Sequence, residues 1–152
     1  MSSTQAFRNE HAALLEHVEH LRVAAAQIPE MTPDERGQTT QRILAFLKGT
    51  LVPHAEAEER VLYPAVADVL GNAEATATMI SDHRAIVARI DALAATDAGD
   101  VARLQELLYG IYALLIVHFH KEEDDYLPLL ERRPPAEVAA IFERMGGHDH
   151  VH

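Results

Sequence analysis

A chain of 152 residues with a formal net charge of −11 and no cysteine narrows the functional classes at once. Strong acidity argues against nucleic acid and anionic membrane surfaces as partners, because both select basic patches. Without thiols there are no disulfides, zinc fingers, iron–sulfur clusters or cysteine nucleophiles.

Apolar residues make up 48% of the chain, yet aromatics only 5%. Ala, Leu, Val and Ile carry the apolar content, a composition that favours helices packed on helices. The first residues show no basic segment ahead of an apolar run. The longest apolar stretch, residues 111–117, is far too short to span a bilayer. The expectation is a cytoplasmic protein with no membrane partner.

Turn signals divide the chain into helical blocks. The first covers about residues 3–28 and stops at Pro29. Thr32-Pro33-Asp34-Glu35 then reads as a helix start, with Thr32 as N-cap, Pro33 at the first helical position and Glu35 completing a capping box. The second block runs on to residue 70 and ends at Gly71-Asn72, with Pro53 kinking it and freeing a backbone carbonyl. The third covers about residues 73–95, and residues 96–100 form a loop. Asp100 caps the fourth, which extends to about residue 131. Pro134-Pro135 precedes a short amphipathic helix over 136–145, and a frayed tail covers 146–152. No segment alternates with a period of two, so no sheet is expected. The predicted fold is all-α: one domain over 1–152, an antiparallel up-down four-helix bundle over about 4–131 with a short C-terminal helix.

The chain also repeats itself. Asn9-Glu10-His11-Ala12-Ala13-Leu14 resembles Ser81-Asp82-His83-Arg84-Ala85-Ile86. His54-Ala55-Glu56-Ala57-Glu58-Glu59 resembles His118-Phe119-His120-Lys121-Glu122-Glu123, and the likeness continues from Leu62-Tyr63-Pro64 to Tyr126-Leu127-Pro128. A duplicated helical hairpin would supply equivalent side chains from both halves to a site on the pseudo-twofold axis.

Each helix carries an apolar stripe with steps of three and four. The stripes read Phe7, His11, Leu14, Val18, Leu21, Ala25, Ile28; then Leu47, Leu51, His54, Glu58, Val61, Ala65; then Met79, His83, Ile86, Ile90, Leu93; then Leu104, Leu108, Ile111, Leu115, His118, Glu122, Asp125, Leu129. Every stripe holds a histidine, and two hold a glutamate four residues later, rotated by only about 40° on the helix. A lone histidine on such a face is usually an ordinary core residue. A carboxylate there costs several kcal/mol or more unless something neutralises it, and no lysine or arginine shares these stripes. Metal ions would satisfy the whole set. Two glutamates would bridge two ions, each also held by two histidines. Imidazole and carboxylate donors suit iron or manganese, with zinc a further option.

The succession of histidine, His-x-x-x-Glu, histidine and His-x-x-x-Glu on four helices resembles the hemerythrin-like, or HHE cation-binding, domain. The likeness spans roughly residues 7–130, and the run from His54 through Glu58-Glu59 to Tyr63-Pro64 is especially similar to that family's second-helix signature. The resemblance implies a left-handed bundle around a non-heme di-iron centre with an oxo or hydroxo bridge. It implies Glu58 and Glu122 as bridging ligands, His11 and His54 on one iron, and His83 and His118 on the other. In the oxygen-carrying members a second histidine follows the third-helix histidine by one turn, where this chain has Val87. They also use an aspartate in place of Glu122. Reversible oxygen carriage is therefore disfavoured. Peroxide decomposition of a catalase-like kind is the leading expectation, against non-catalytic sensing of dioxygen or nitric oxide, or iron binding and storage. A plain helical interaction module would leave the buried glutamates uncompensated. The expected oligomeric state is a monomer or weak homodimer.

The remaining candidates carry two readings each. Tyr63 and Tyr126 pack with hydrogen-bonded hydroxyls, or else ligate metal or carry a proton. Asp125 orients a ligand histidine or lies on the surface. Glu59 and Glu123 point about 100° from the ligands, and are solvated or support the site from outside. His17, His20 and His120 are surface histidines. His148, His150 and His152 alternate in the tail and bind metal adventitiously or assist loading. The helix over 136–145 covers one end of the bundle or meets a partner.

Overall fold

The computed structural model describes residues 3–146, and among these every regular element is helical, with no strand. Of the tail predicted over 146–152, Gly146 ends the last helix, and residues 147–152 with the histidines at 148, 150 and 152 lie outside the described residues.

The first rod is α1 (Gln5–Gln27), continued by a 3₁₀ turn at Ile28–Glu30 that contains Pro29. Thr32 then caps α2 (Pro33–Phe46) with the predicted box: Thr32 Oγ1 accepts from the Glu35 amide at 3.2 Å, and Glu35 Oε1 accepts from the Thr32 amide at 2.9 Å. Helix continues through residues 33–70 by way of a π turn (Leu47–Leu51), α3 (Val52–Ala57), a second π turn (Glu58–Leu62) and α4 (Tyr63–Leu70). Gly71 ends this rod at φ 67°, a conformation that favours glycine because it has no Cβ. The next helix, α5 (Ala77–Ala94), starts later than the sequence predicts. Asn72 holds the backbone in turns instead, its side chain accepting from the Glu74 amide at 2.9 Å. Asp100 accepts from the Arg103 amide at 3.2 Å and caps α6 (Val101–Lys121), followed by a π turn (Glu122–Tyr126) and α7 (Leu127–Leu130). Last comes α8 (Pro135–Gly146).

Each π turn stops two residues before a proline: Pro53, Pro64 and Pro128. A proline ring collides with the carbonyl four residues back and offers no N–H. Widening the preceding turn moves that carbonyl away. Accordingly the amides of Val52, Tyr63 and Leu127 bond five residues back, to the carbonyls of Leu47, Glu58 and Glu122. The disturbance predicted at Pro53 is thus a π turn, and it occurs three times.

A π turn inserts one residue and advances the buried face by about 100°. This corrects the predicted stripes beyond the glutamates. Asp125 is exposed, and Leu129 and Ala65 are only half-buried, while Tyr126, Leu130 and Val66 take the inward places.

Two apolar clusters fill the interior. One gathers Leu14, Val18, Leu51, Ile86, Leu108 and Leu115; the other Phe7, Leu62, Val66, Met79, Leu127 and Leu130. The histidines and glutamates of the stripes fall between them along each rod. α8 closes the end beyond the second cluster: Ile141 and Met145 join it, and Phe142 stacks on Phe7 at 5.1 Å. By length and composition alone the helix over residues 101–130 is apolar enough to cross a membrane, contrary to the sequence reading; a core helix passes the same test, and this one packs against α1 and α5.

Candidate metal centre

All six histidine and glutamate side chains predicted as ligands meet in the layer between the apolar clusters, each 5% exposed or less. α1 delivers His11, α3 His54, α5 His83 and α6 His118, while Glu58 and Glu122 each open a π turn. Glu58 stands at the centre. Its Oε2 lies 3.2 Å from His54 Nε2 and 3.7 Å from His11 Nε2, and its Oε1 lies 3.2 Å from His83 Nε2 and 3.9 Å from His118 Nε2. Glu122 also reaches both ways, with Oε1 3.4 Å from His11 Nε2 and Oε2 3.6 Å from His118 Nε2.

Two sets of ligand atoms converge within 4.8 Å, one from His11, His54 and Glu58, the other from Glu58, His83 and His118. Several atoms in the layer have no hydrogen-bond partner: His11 Nδ1 and Nε2, His54 Nε2, Glu58 Oε2 and Glu122 Oε1. Buried polar atoms are rarely left so. Apart from His11 Nδ1, which faces Glu123, they are lone-pair donors aimed at one another, the arrangement that a cation between them would resolve. The donor set of imidazole and carboxylate fits a transition metal.

Around this layer runs a ring of carboxylates that the sequence reading left largely unassigned. Glu10 accepts from His54 Nδ1 at 2.8 Å, Asp82 from His118 Nδ1 at 3.0 Å, and Glu59 from His83 Nδ1 at 2.9 Å. Glu123 Oε1 lies 3.6 Å from His11 Nδ1, too long for a hydrogen bond. A carboxylate on Nδ1 fixes the tautomer that leaves Nε2 free to ligate, and raises its basicity. The signal was present in the sequence. Glu10 and Asp82 precede His11 and His83 in the repeat, but each serves the histidine of the following helix rather than its own neighbour. Lys121 pairs with Asp82 as well.

Tyr63 also enters the layer. Its hydroxyl donates to Glu122 Oε2 at 2.8 Å and lies 2.9 Å from His118 Nε2, 3.1 Å from His83 Nε2 and 3.3 Å from Glu58 Oε1. Tyr126, by contrast, points its hydroxyl at the Ala75 carbonyl, 3.5 Å away. His17, His20 and His120 are exposed, as the sequence predicts.

Electrostatics follow from crowding charge out of water. Burial opposes ionisation of Glu58, but the charge on His54 and the polar groups of Glu122, His11 and His118 beside it hold it well below the usual carboxylate range. Burial and the charge on Glu58 hold Glu122 well above that range, so this carboxyl keeps its proton. Burial works against the imidazolium of His118, yet the neighbouring Glu122 and Glu58 carboxyls raise it to about 10. His54 is raised for like reasons by Glu58 and Glu10. Burial, then the two glutamate charges, push the Tyr63 phenol up.

A cavity of about 20 Å³ abuts the layer, walled by Leu51, Ile86, Val87, Leu115 and Phe119 on one side and by His54, Glu58, His83 and His118 on the other. It has room for one molecule of about the size of water.

The sequence model of the hemerythrin HHE cation binding domain matches residues 2–130. Neither the curated proteins nor the solved structures gave a match.

Proposed function

This chain belongs to the hemerythrin HHE cation-binding domain family, and from that premise we propose that its buried layer holds two iron ions and reacts with a small oxidant, hydrogen peroxide first among them. One observation carries the reading: unpartnered lone-pair atoms of His11, His54, Glu58 and Glu122 are sealed in the layer where two three-residue donor sets share Glu58. In this reading His11 and His54 hold one ion, His83 and His118 the other. Glu58 and Glu122 bridge them beside an oxo or hydroxo group, with manganese or zinc as the lesser alternatives. The four rods take an up-down, antiparallel path, supported by the short connections between successive rods.

When bound, paired iron supplies two-electron redox chemistry at fixed separation. The chain's own contribution is protonic and steric. With Glu122 deprotonated as a ligand, the Tyr63 hydroxyl that donates to it at 2.8 Å is the chain's buried proton store. Peroxide chemistry consumes and returns protons, so a store of this kind serves it. Glu10, Asp82 and Glu59 hold three imidazoles in place. The cavity, with room for about one water-sized molecule, excludes larger reductants.

The apolar side of that cavity supports a second reading, capture of dioxygen or nitric oxide without turnover. The deciding experiment is oxygen evolution from hydrogen peroxide by iron-loaded and metal-free protein, together with metal analysis and the near-ultraviolet spectrum of an oxo-bridged centre. Evolution only from the loaded form upholds the peroxide reading. Iron without evolution shifts the proposal to gas binding, and protein that takes up no iron overturns both.

A further inference from the structure

Independently of the metal layer, we propose that the groove between α1 and α2 binds a small amphipathic carboxylate, an organic acid with one charged end and an apolar body. The groove has a volume of about 360 Å³, within the range of small-molecule sites. It lies along the later half of α1, whereas α8 packs on Phe7 near the start of that helix. Its floor is hydrocarbon shared with the core: Leu21, Ala24 and Ile43. Val23 adds to the wall a large apolar side chain that is 37% exposed. The rim differs in character. Arg42, His17 and His20 stand there, and all three are exposed.

Charge decides the class of occupant. The chain has 24 aspartates and glutamates, yet none lines this groove. Three other surface grooves, of about 330, 380 and 480 Å³, are each lined by two or three carboxylates. The cause is legible in the sequence: residues 36–55 contain no acidic side chain, and they supply the α2 wall. On α1, Glu19 pairs with Arg22 and takes no part in the lining. Arg42 has no carboxylate partner among the described residues; its Nη2 donates to Thr39 Oγ1 at 3.3 Å, which holds the guanidinium beside the groove. Its remaining N–H groups suit a carboxylate, which a guanidinium grips through two parallel hydrogen bonds. His17 stacks on Phe46 at 4.8 Å between ring centres, and His20 stands nearly perpendicular to it at 5.9 Å. Each imidazole carries an N–H in either tautomer and can donate to the same anion. An apolar cation would meet these donors and no carboxylate, and a bare inorganic anion would leave the hydrocarbon floor in water. An amphipathic acid satisfies both.

The test titrates octanoate into the full chain by isothermal titration calorimetry, with acetate and octylammonium as separate probes of the two ends. The expected result is one octanoate per chain with a dissociation constant on the order of 0.1–1 mM. Acetate lacks the body and octylammonium carries the wrong sign, so each should bind at least about 10-fold more weakly. Arg42→Gln should weaken octanoate by about 10-fold or more. Val23→Glu, which places a carboxylate on the apolar wall, should weaken it at least as much. Both positions are exposed, so the variants should keep the wild-type helical circular dichroism and the wild-type metal content. Absence of octanoate binding, equal binding of octylammonium, or octanoate binding that survives both variants overturns the proposal. A dimer in gel filtration that Val23→Glu dissociates would give the groove to a second copy of the chain and overturn it as well.

Discussion

The two halves of the metal layer share a backbone plan but differ in what surrounds the histidines. His11 lies against Phe7 at 4.2 Å and Phe119 at 4.5 Å between ring centres, and His54 against Phe7 at 5.7 Å. Aromatic hydrocarbon therefore walls that half. His83 and His118 meet at 4.6 Å and share the Tyr63 hydroxyl. The repeat supplies equivalent donors to both halves, and single substitutions beside them then set different chemistry. In this protein the positions that separate the halves are Tyr63 against Leu127 and the carboxylate distances on Nδ1.

The severest way to break the comparison is to remove what the halves have in common. Glu58 is the one residue in both donor sets. Glu58→Ala should abolish metal binding in both halves together, with an affinity loss beyond the roughly 10–100-fold typical of outer partners. Metal analysis after gel filtration checks it, and full iron content in that variant would sink the ligand assignment. Smaller effects should separate the halves. Asp82→Asn removes the acceptor on His118, and Glu10→Gln the one on His54. Each is expected to weaken one of the two ions by about 10–100-fold and spare its neighbour. Stepwise metal titration should show one weakened site in each variant. Equal weakening of both sites would mean the ions do not bind as separate halves.

Acidity sharpens the picture further. In metal-free protein the folded state raises His118 from 6.5 to about 10. A group raised on folding contributes stability that is whole below its ordinary value and lost as pH climbs through the folded one. The melting temperature of chelated protein should therefore fall as pH rises from about 6.5 toward about 10. Metal affinity should move the other way, because His118, His54 and Glu122 must shed protons before they ligate. Scanning calorimetry of chelated and loaded samples across that range tests both signs, and a melting temperature of the chelated form that rises with pH would refute the first.

How much of this was legible beforehand follows from where the helices are regular. Around His11 and His83, from His54 to Glu58 and from His118 to Glu122 an α-helical period of 3.6 holds, so the four histidines and two glutamates could be read from their steps of three and four despite the π turn at Leu47–Leu51. Past them it fails, because Pro64 and Pro128 force π turns that a fixed period does not anticipate. Asp125 therefore left the core and Tyr126 entered it. The same slip carried Tyr63 into the metal layer, where spacing alone placed it off the stripe beside Val61. The carboxylate ring escaped notice for a different reason. Glu10, Asp82 and Glu59 act across helices, and a pattern along one helix cannot say which histidine of another it will meet. Glu59 was at least recognised as a neighbour of the site, and the capping box at Thr32 and Glu35 was readable because both partners lie within one turn.

The faintest expected difference between the halves lies in the two carboxylates that follow the bridging glutamates. Glu59 and Glu123 hold equivalent places in the repeat, yet Glu59 Oε2 is 2.9 Å from His83 Nδ1 while Glu123 Oε1 is 3.6 Å from His11 Nδ1. Only the first distance is a hydrogen bond. His11 Nδ1 is consequently a buried donor without a partner, which leaves its ring less firmly oriented than the other three. Glu59→Gln should weaken the ion on His83 toward the lower end of the range, by about 10-fold. Glu123→Gln should change the ion on His11 by less than Glu59→Gln changes its own, since no bond is lost. Parallel metal titrations of the two variants give the comparison directly. An effect of Glu123→Gln as large as that of Glu59→Gln would show that metal binding draws Glu123 onto His11 and closes the ring, making the halves alike in their outer carboxylates and leaving Tyr63 as the difference between them.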